Sequence, residues 1–449
     1  MYDGYIIGIS EIWTKSEKVR QLLIKKLVRN IKQRIPEAHF EVRRGRIILR
    51  PFKEEFTEIL LKTFGIRYFS PVYIVPTKDE EIAKKCGELA EKIKSKTFKV
   101  EVKRVWKGYP KVSLEIERAL GSLMLEKNPN LKVDVKTPMT TVNVEIHHDI
   151  TLIFYERIEG YDGYPIGTQG KSLSLFSGGI DSPVAAWLMA KRGVHVDLLF
   201  LNLAGEVHRG AVCKVYNKLL DWVPRAKLYE VDGMPLIESI IQNVKSGYRQ
   251  IVFKVYLYKI AEAVADKLGI DTLVTGESIG QVSTQTLDSL TLLDKYANKS
   301  FLRPLLAYNK EEIKGLAKII GTLELSEKVP EVCMLEKHAT ANPKASILRQ
   351  EVNKVKFSID SILETLTEVD CSQSISYADF IPLNVKPESL TIIDVKKVKD
   401  VPESPSRKYL FVCMTGTSAF AYAKRFREKG IEAYALDYKT ARRLGFLKD

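Results

Sequence analysis

A short Ser/Gly-rich segment carries the clearest chemical signal in this chain. Residues 177–182 read SGGIDS and lie between an apolar run and a helical pattern. A buried strand that passes through such a turn into a helix directs backbone N–H groups at one point, which suits a phosphate. Its glycines, Gly178 and Gly179, let the backbone approach oxygen atoms closely. Its serines, Ser177 and Ser182, add hydroxyl donors. The segment therefore predicts a nucleotide phosphate site.

Asp181 is the one acidic residue of this segment. A carboxylate beside a phosphate repels it unless a cation lies between them, so Asp181 predicts a bound Mg²⁺ ion. The segment is not a Walker P-loop, which needs Lys and Ser/Thr after its last glycine. An ordinary turn capped by Ser or Asp would explain a bare Ser-Gly-Gly, but the complete run between a strand and a helix favours the nucleotide site.

A second motif lies about a hundred residues further on. Residues 275–286 read TGESIGQVSTQT and follow a strand-like run. Gly276 would let the backbone approach a nucleotide, and the amide of Gln285 would hydrogen-bond a base or ribose edge. Alone, this segment could be a Ser/Thr-rich turn. It indicates a nucleotide site because it occurs together with the first motif.

The elements around these motifs predict how they are positioned. From 167 to 345, apolar strands alternate with helices, which predicts a doubly wound, mainly parallel sheet with its ligand site beyond the carboxyl ends of the strands. Residues 1–75 follow the order strand, helix, strand, strand, helix, strand, which is the ferredoxin-like order. Residues 76–166 form a second α+β section that is rich in lysine. The predicted fold class is thus a multidomain α/β protein.

Composition limits the classes of function. The 449 residues suggest roughly three domains, and the net charge of +14 suggests a polyanionic partner or a membrane surface. No apolar run approaches the roughly 20 residues that span a bilayer, and the start lacks the features of a signal peptide, so we predict a cytoplasmic protein with no membrane partner. The five cysteines are odd in number and scattered, which does not suggest a secreted disulfide framework.

Together the motifs resemble those of one enzyme family. The order of PIGTQGK at 165–171, SGGIDS, TGESIGQVSTQT and LRPL at 302–305 is similar to that of the tRNA 4-thiouridine synthases, also called tRNA sulfurtransferases. In particular, SGGIDS resembles the loop of the PP-loop ATP pyrophosphatases. The pattern around Phe98, Lys99 and Lys103 looks like a THUMP domain, which is an RNA-binding module. The resemblance covers residues 1 to about 345.

On this resemblance the chain divides into five parts. They are a ferredoxin-like domain (1–75), a THUMP RNA-binding domain (76–166), a PP-loop ATP pyrophosphatase domain (167–345), a linker (346–385) and a truncated rhodanese-like domain (386–449). The residues expected to contact ATP are Leu175, Phe176, Ser177, Gly178, Gly179, Asp181, Ser182, Phe200, Leu201, Lys254, Gly276 and Gln285. The basic residues expected to contact RNA are Lys99, Lys103, Arg104, Lys107 and Lys111.

The resemblance also implies a reaction. ATP adenylates the 4-carbonyl oxygen of a tRNA uridine at position eight, and a cysteine persulfide replaces that oxygen with sulfur to give 4-thiouridine. The partners would be tRNA and a persulfide donor such as a cysteine desulfurase. Some relatives also supply sulfur for the thiazole of thiamine. The oligomeric state stays open, with a homodimer among the alternatives.

Two cysteines are candidates for the sulfur transfer. Cys413 ends a strand and opens a six-residue loop of the rhodanese type before a helix, where backbone N–H groups would favour a thiolate. Cys333 lies where the family places a cysteine beside the adenylation site. Cys86 and Cys213 fall on helical patterns and read as small core residues. Cys371, in the predicted linker, is a reserve candidate for a sulfur relay.

Two other classes of function remain open on the sequence. One is a PP-loop adenylating enzyme that acts on another RNA base or on a small molecule, which would leave the basic N-terminal half unused. The other is a non-catalytic RNA-binding sulfur carrier, against which the intact Asp181 counts. ATP–pyrophosphate exchange that depends on unmodified tRNA would separate all three.

Overall fold

The structure is a computed structural model of the whole chain. It describes residues 1–449 except 12–13, 44, 204, 330–338, 373–379, 381, 383–384, 396–400, 414–416, 444 and 448–449. The described chain forms two compact units. The first comprises Met1–Thr168 with Lys191–Gly193, and the second comprises Gln169–Ala190 with Val194–Asp449. None of the helices in the described ranges is long and apolar enough to cross a bilayer.

The first unit begins with a four-stranded antiparallel sheet covered by two helices. Its elements are β1 (Gly4–Ile9), α1 (Glu17–Arg34), β2 (His39–Arg43), β3 (Arg46–Arg50), α2 (Phe56–Leu61) and β4 (Ile66–Pro76). The strands lie in the order β2-β3-β1-β4, and each neighbouring pair is antiparallel. Helix α1 buries Leu23, Leu27 and Ile31 at helical spacing against this sheet. The predicted ferredoxin-like fold is confirmed.

The same sheet continues into the lysine-rich section. The further elements are α3 (Asp79–Lys92), β5 (Thr97–Arg104), α4 (Ser113–Lys127), β6 (Lys132–Val133), β7 (Thr140–Ile146), β8 (Ile150–Phe154) and β9 (Ile158–Glu159). Strand β4 is long enough to pair with β1 through its first half and with β8 through Tyr73–Pro76. The sheet therefore runs β2-β3-β1-β4-β8-β7-β5-β6, with β9 paired to β4.

The second unit contains the predicted doubly wound sheet. Its strands are β10 (Lys171–Leu175), β11 (His195–Asn202), β12 (Leu228–Asp232), β13 (Thr272–Val274), β14 (Ser300–Leu302) and β15 (Thr367–Glu368). Its helices are α5 (Asp181–Lys191), α6 (Gly205–Leu219), α7 (Met234–Asn243), α8 (Arg249–Lys267), α9 (Leu287–Asp294), α10 (Lys310–Ile320), α11 (Leu323–Ser326), α12 (Ala345–Asn353) and α13 (Ile359–Leu363).

The strand order fixes where a ligand belongs. The order is β14-β13-β10-β11-β12-β15, and every pair is parallel except β12 with β15. From β10 the chain builds outward through β11 and β12, and then returns to the other side of β10 with β13 and β14. A doubly wound sheet of this kind binds ligands at that reversal, beyond the carboxyl ends of its strands. The predicted fold class is confirmed.

The prediction that 346–385 is a linker is wrong for its first half. Leu348, Val352 and Ile362 are buried in the same core cluster as helix α8, and β15 pairs with β12 at the edge of the sheet. Of these elements, α13 and β15 are short, with five and two residues respectively. Such short pieces carry too little periodicity to be distinguished from a loop by sequence.

The C-terminal section is a small α/β structure. It contains β16 (Leu390–Asp394), β17 (Lys408–Cys413), α14 (Thr417–Glu428), β18 (Ala433–Asp437) and α15 (Tyr438–Arg443). Its three strands are parallel in the order β16-β17-β18. Helix α14 packs on this sheet through Phe420 and Phe426 and also lies against α6 of the doubly wound domain.

Candidate active site

The predicted phosphate loop follows β10, the strand at which the sheet reverses. Gly178 has a φ of +74°, a conformation that favours glycine, and an added Cβ would lie 2.9 Å from a methyl of Val212 on α6. Helix α5 begins at Asp181, so its first free N–H groups point toward this loop. The backbone N–H of Gly179 donates to Ser177 Oγ at 3.3 Å. The local geometry is thus that of an anion cradle at a helix start.

The second motif lies beside the first. Strands β10 and β13 are neighbours, so the segments that follow them leave the same edge of the sheet. A Cβ added to Gly276 would lie 3.0 Å from the backbone carbonyl carbon of Asp181. The amide Nε2 of Gln281 donates to Asp181 Oδ2 at 2.7 Å. The two motifs therefore form one site.

Asp181 also meets a lysine that the sequence interpretation missed. Lys310 Nζ lies 2.7 Å from Asp181 Oδ1. Lys310 is the first residue of α10, directly after the N-cap Asn309. A lysine at this place is repelled by the positive end of the helix. The ion pair with the Asp181 carboxylate offsets this repulsion. The unfavourable position of the lysine was therefore a signal that the sequence already contained.

Lys254, predicted to contact ATP, is part of a buried network centred on Glu277. Glu277 Oε1 accepts from Lys254 Nζ at 3.1 Å. Glu277 Oε2 accepts from Tyr258 OH at 2.6 Å, from Thr275 Oγ1 at 2.9 Å and from Arg303 Nε at 2.9 Å. Tyr258 stacks on Phe301 with ring centroids 3.9 Å apart, which holds the phenol in place. Glu277 lies within the second motif but is not among the predicted site residues.

The electrostatics of this network keep Glu277 ionised. Burial by itself would raise the pKa of the Glu277 carboxyl, but the charge of Lys254, the hydrogen bond from Tyr258 and the charge of Arg303 outweigh it and lower the pKa to about 2. Burial, the charge of Glu277 and the hydrogen bond to it raise the pKa of Tyr258 well above its usual range, and they outweigh the opposing effect of Arg303. Glu277 is thus a fixed negative charge beside two cations.

The remaining predicted nucleotide residues differ in exposure. The rings of Phe176 and Phe200 are buried in the core, and Phe200 packs edge-on against His208. We therefore expect these two residues to contact a nucleotide through their backbone. Leu175 is half-buried and Leu201 is buried. The loop residue Ser182 is buried, and its Oγ lies 3.5 Å from the Gly179 carbonyl oxygen.

Gln285 supports its own motif. It is buried, and its Oε1 accepts from the backbone N–H of Ser278 at 3.4 Å. The backbone carbonyl oxygen of Gln285 accepts from the backbone N–H of Gly280 at 2.9 Å. These bonds close the motif into a compact turn, and they leave the amide Nε2 as the group that a base or ribose would use.

A metal-binding cluster is not found in the described part of the chain, where no three His, Cys, Asp or Glu side chains come together. At the loop, Asp181 is the available carboxylate, and both its oxygens already accept from Lys310 and Gln281. Mg²⁺ in phosphate sites takes one or two carboxylates and completes its shell with water and phosphate oxygens. The residues present here therefore do not form a protein cage for the ion.

Cys413, the first cysteine predicted to take part in sulfur transfer, is buried at the end of a strand. It ends β17, the central strand of the C-terminal sheet, and is 2% exposed. Its Sγ accepts from the backbone N–H of Ala419 in the first turn of α14 at 3.4 Å. This contact places the sulfur at the N-terminal end of α14. The other candidate, Cys333, lies outside the described residues.

Two other cysteine predictions are corrected. Cys213 is buried as predicted, but it forms a disulfide with Cys371, with the two Cα atoms 5.3 Å apart, so neither is a free thiol and Cys371 is not available for a relay. The disulfide attaches the chain after β15 to α6, and Asn217 adds a hydrogen bond to the Cys371 carbonyl oxygen. Cys86 is buried as predicted, and burial raises the pKa of its thiol to about 12.

The predicted RNA-contacting residues fall on β5 and the loop after it. Lys103, Lys107 and Lys111 are exposed. Lys99 and Lys111 form ion pairs, with Glu101 at 2.8 Å and with Asp79 at 2.6 Å respectively. The guanidinium of Arg104 instead donates to the carbonyl oxygens of Tyr109 and Lys111 at 3.2 and 3.0 Å. Arg104 therefore supports the loop in the free protein.

Fold and site together define a class of protein: a PP-loop-type nucleotide domain in one chain with a ferredoxin-like and a THUMP domain. Comparison with family models supports each part. Residues 5–70 match the ThiI ferredoxin-like domain, 76–156 match the THUMP domain, and 167–357 match the thiamine biosynthesis protein ThiI family.

Full-length relatives identify the family. The chain is 32% identical to the tRNA sulfurtransferase of Thermoplasma volcanium, over 96% of this chain and 95% of that protein. It is 31% identical to the tRNA sulfurtransferase of Pyrobaculum aerophilum, over 96% of each. The chain therefore belongs to the tRNA sulfurtransferase (ThiI) family. Alignments of this extent reach into the C-terminal section that holds Cys413.

Solved structures agree with this conclusion. A crystal structure of a 4-thiouridine synthetase in complex with RNA and bound ATP matches with a TM-score of 0.74 and 31% identity, covering 82% of this chain and 100% of that one. The crystal structure of PH1313 from Pyrococcus horikoshii matches with a TM-score of 0.56 at 24% identity and supports the fold alone.

Proposed function

We propose that this protein is an ATP-dependent tRNA sulfurtransferase that converts uridine at position eight to 4-thiouridine. The observation that carries the proposal is the junction of both nucleotide motifs at the reversal of the sheet, with Asp181 held between Lys310 and Gln281. Full-length similarity to tRNA sulfurtransferases and the ATP- and RNA-bound relative support ATP and tRNA as the ligands. The THUMP domain supplies the module that would hold the RNA.

The first half of the reaction is adenylation. The uridine 4-carbonyl oxygen attacks the α-phosphorus of ATP, and pyrophosphate leaves. The loop of Ser177, Gly178 and Gly179 and the start of α5 would bind the phosphates, and Lys254 and Lys310 would offset their negative charge. Asp181 would orient Lys310, and Gly276 would give the nucleotide room. Gln285 would face the base or ribose.

The proposed Mg²⁺ would be held mainly by the phosphates of ATP. When bound, it would neutralise phosphate charge, and Asp181 is the carboxylate that the loop itself would contribute. The partners of Asp181 argue against a larger protein contribution, and the proposed roles of Lys254 and Lys310 do not depend on the ion.

The second half of the reaction is sulfur transfer. A donor such as a cysteine desulfurase would load Cys413 with a terminal sulfur, which then attacks C4 while AMP leaves. A second thiol, proposed as Cys333, attacks Cys413 Sγ, so that the thiocarbonyl is released and a disulfide remains for an external dithiol to reduce. The placement of Cys413 Sγ at the start of α14 supports this role and the rhodanese-like interpretation of 386–449.

The domain limits from the sequence stay proposals, with the linker shortened because α12, α13 and β15 belong to the nucleotide domain. Supply of sulfur for the thiazole of thiamine, a homodimeric state and a cytoplasmic location also stay proposals. The name of the matching family model supports the first of these.

The test is pyrophosphate release from ATP in the presence of unmodified tRNA. We expect release with a transcript that has uridine at position eight, and none with a transcript that has cytidine there. Release without any RNA would indicate a small-molecule substrate instead. An ATP-independent complex with tRNA and no pyrophosphate would indicate a non-catalytic carrier.

A further inference from the structure

Glu277 is a buried, charged residue that has no role in the adenylation step proposed above. Its side chain is 2% exposed, and it follows Gly276 directly in the second nucleotide motif. A carboxylate costs several kcal/mol to bury unless its partners compensate, and a buried ion pair is weak evidence for a gain in stability. A role other than stability therefore has to be considered.

The two oxygens of Glu277 are used differently. Oε2 accepts from three donors, the hydroxyls of Tyr258 and Thr275 and the Nε of Arg303. Donors from α8, from the motif itself and from the segment after β14 fix the plane of the carboxylate, and Oε1 is then directed at Lys254 Nζ at 3.1 Å. The carboxylate is preorganised, and the lysine is the partner that it positions.

Lys254 needs such a partner. Its ammonium is a point charge at the end of a four-carbon stem, and without a fixed acceptor it would sample many rotamers. Lys254 and Tyr258 lie one turn apart on the same face of α8, so the helix holds both on one side of Glu277. Tyr258 is in turn fixed by its stacking on Phe301.

The same short segment touches the phosphate loop. Gly276 packs on the backbone of Asp181, and Gln281 donates to its carboxylate. Residues 276–281 therefore link Asp181 at one end to Lys254 through Glu277 in between. A change at Glu277 would alter where the Lys254 charge lies relative to the loop.

We infer that Glu277 is a positioning residue that holds the Lys254 ammonium in place for the phosphates of ATP. This inference rests on the proposed function only in taking ATP as the nucleotide of the site.

A second buried carboxylate provides a matched control. Glu262 also lies on α8 and is 7% exposed, and it accepts from the backbone N–H groups of Asn298 and Lys299. These contacts cap a loop, and within the described residues the hydrogen bonds of Glu262 go to Asn298 and Lys299 rather than to Lys254 or either nucleotide motif. Loss of its charge should affect stability without affecting ATP affinity.

The experiment is a double-mutant cycle on ATP binding, measured by isothermal titration calorimetry without tRNA. Glu277→Gln should weaken ATP binding by about tenfold, as expected for loss of a charge-assisted contact. In a Lys254→Met background, the same substitution should change ATP affinity by less than about twofold, because the residue it acts through is gone. Glu262→Gln should leave ATP affinity as in the wild type.

Several results would overturn the inference. They are unchanged or tighter ATP binding by Glu277→Gln, an equal loss of affinity in both backgrounds, and an equal loss in Glu262→Gln. If Glu277→Gln does not fold, Tyr258→Phe removes one of the donors that fix Oε2. It should weaken ATP binding by about threefold, again only when Lys254 is present. The same loss in the Lys254→Met background would contradict the inference.

If the proposed function is wrong and the role of Glu277 is right, ATP binding and pyrophosphate release give different results. In that case the wild type binds ATP with coupling between Glu277 and Lys254, yet tRNA fails to stimulate pyrophosphate release. If instead tRNA stimulates release and the cycle is additive, only the role of Glu277 is wrong.

Discussion

Removal of the Cys213–Cys371 disulfide is expected to destabilise the nucleotide domain by about 5 kcal/mol. The bond joins residues 158 positions apart, and the loop-closure entropy for a loop of that length gives about 5 kcal/mol at 25 °C. The loop encloses most of the doubly wound sheet, so its constraint acts on the unfolded state of that whole domain. Loss of this constraint should lower the melting temperature by roughly 10 °C.

The assay is urea unfolding followed by tryptophan fluorescence. Trp187 and Trp222 pack edge to face in this domain, with ring centroids 5.5 Å apart, and report its unfolding. Protein purified without reductant is compared with the same protein after reduction and with a Cys213→Ser, Cys371→Ser double variant. Reduction should shift the midpoint of the native chain and leave the midpoint of the double variant unchanged.

Two results would refute this reasoning. One is the absence of a linked Cys213–Cys371 peptide in a non-reduced digest of the protein purified without reductant. The other is a linked pair whose reduction leaves the unfolding free energy unchanged, which would mean that the loop entropy is compensated elsewhere. A cytoplasm normally keeps thiols reduced, so the yield of the linked peptide also bears on the predicted location.

Four further predictions follow from the site. Asp181→Asn and Lys310→Met should each slow tRNA-dependent pyrophosphate release at least about a hundredfold, with tRNA affinity unchanged in a filter-binding assay; a large loss of tRNA affinity would indicate a structural role. Cys413→Ser should abolish 4-thiouridine formation and retain pyrophosphate release, and normal thiolation would remove this cysteine from the mechanism. RNA binding should weaken steeply with salt, and Lys107→Ala should reduce the slope by about one; a flat response would contradict phosphate contact. The pKa of Glu277 is held at about 2, below its ordinary value of 4.5, so the unfolding free energy should fall as the pH is lowered from 4.5 to 2 and the carboxylate is protonated; an unfolding free energy with the same acid dependence in Glu277→Gln would disprove it.

Much of the fold could be predicted from local patterns. Strands and helices alternate clearly from 167 to about 320, and the ferredoxin-like order is visible in residues 1–75 because each element is long enough to show its periodicity. The phosphate loop could also be predicted, because its glycines, its serines and Asp181 follow a strand and precede a helix. These are features of continuous segments, which a sequence shows directly.

The side-chain interactions that could not be predicted join residues that lie far apart in the chain. Lys310 is 129 positions from Asp181, and Glu277 acts through a lysine on a preceding helix. Nothing in local spacing specifies such pairs, since they depend on how β10, β13 and α10 come together. The pairing of Cys213 with Cys371 is likewise undetermined by spacing. The lysine at the start of α10 was the one local sign, because it opposes the helix dipole.

The central claim is that this chain makes 4-thiouridine in tRNA through ATP. It is tested most directly by nucleoside mass spectrometry of tRNA from a strain that lacks the gene, complemented with the wild-type protein or with Asp181→Asn. We expect 4-thiouridine to be absent in the deletion strain, to return with the wild type and to stay absent with the variant. Unchanged 4-thiouridine in the deletion strain, or its full recovery with Asp181→Asn, would contradict it.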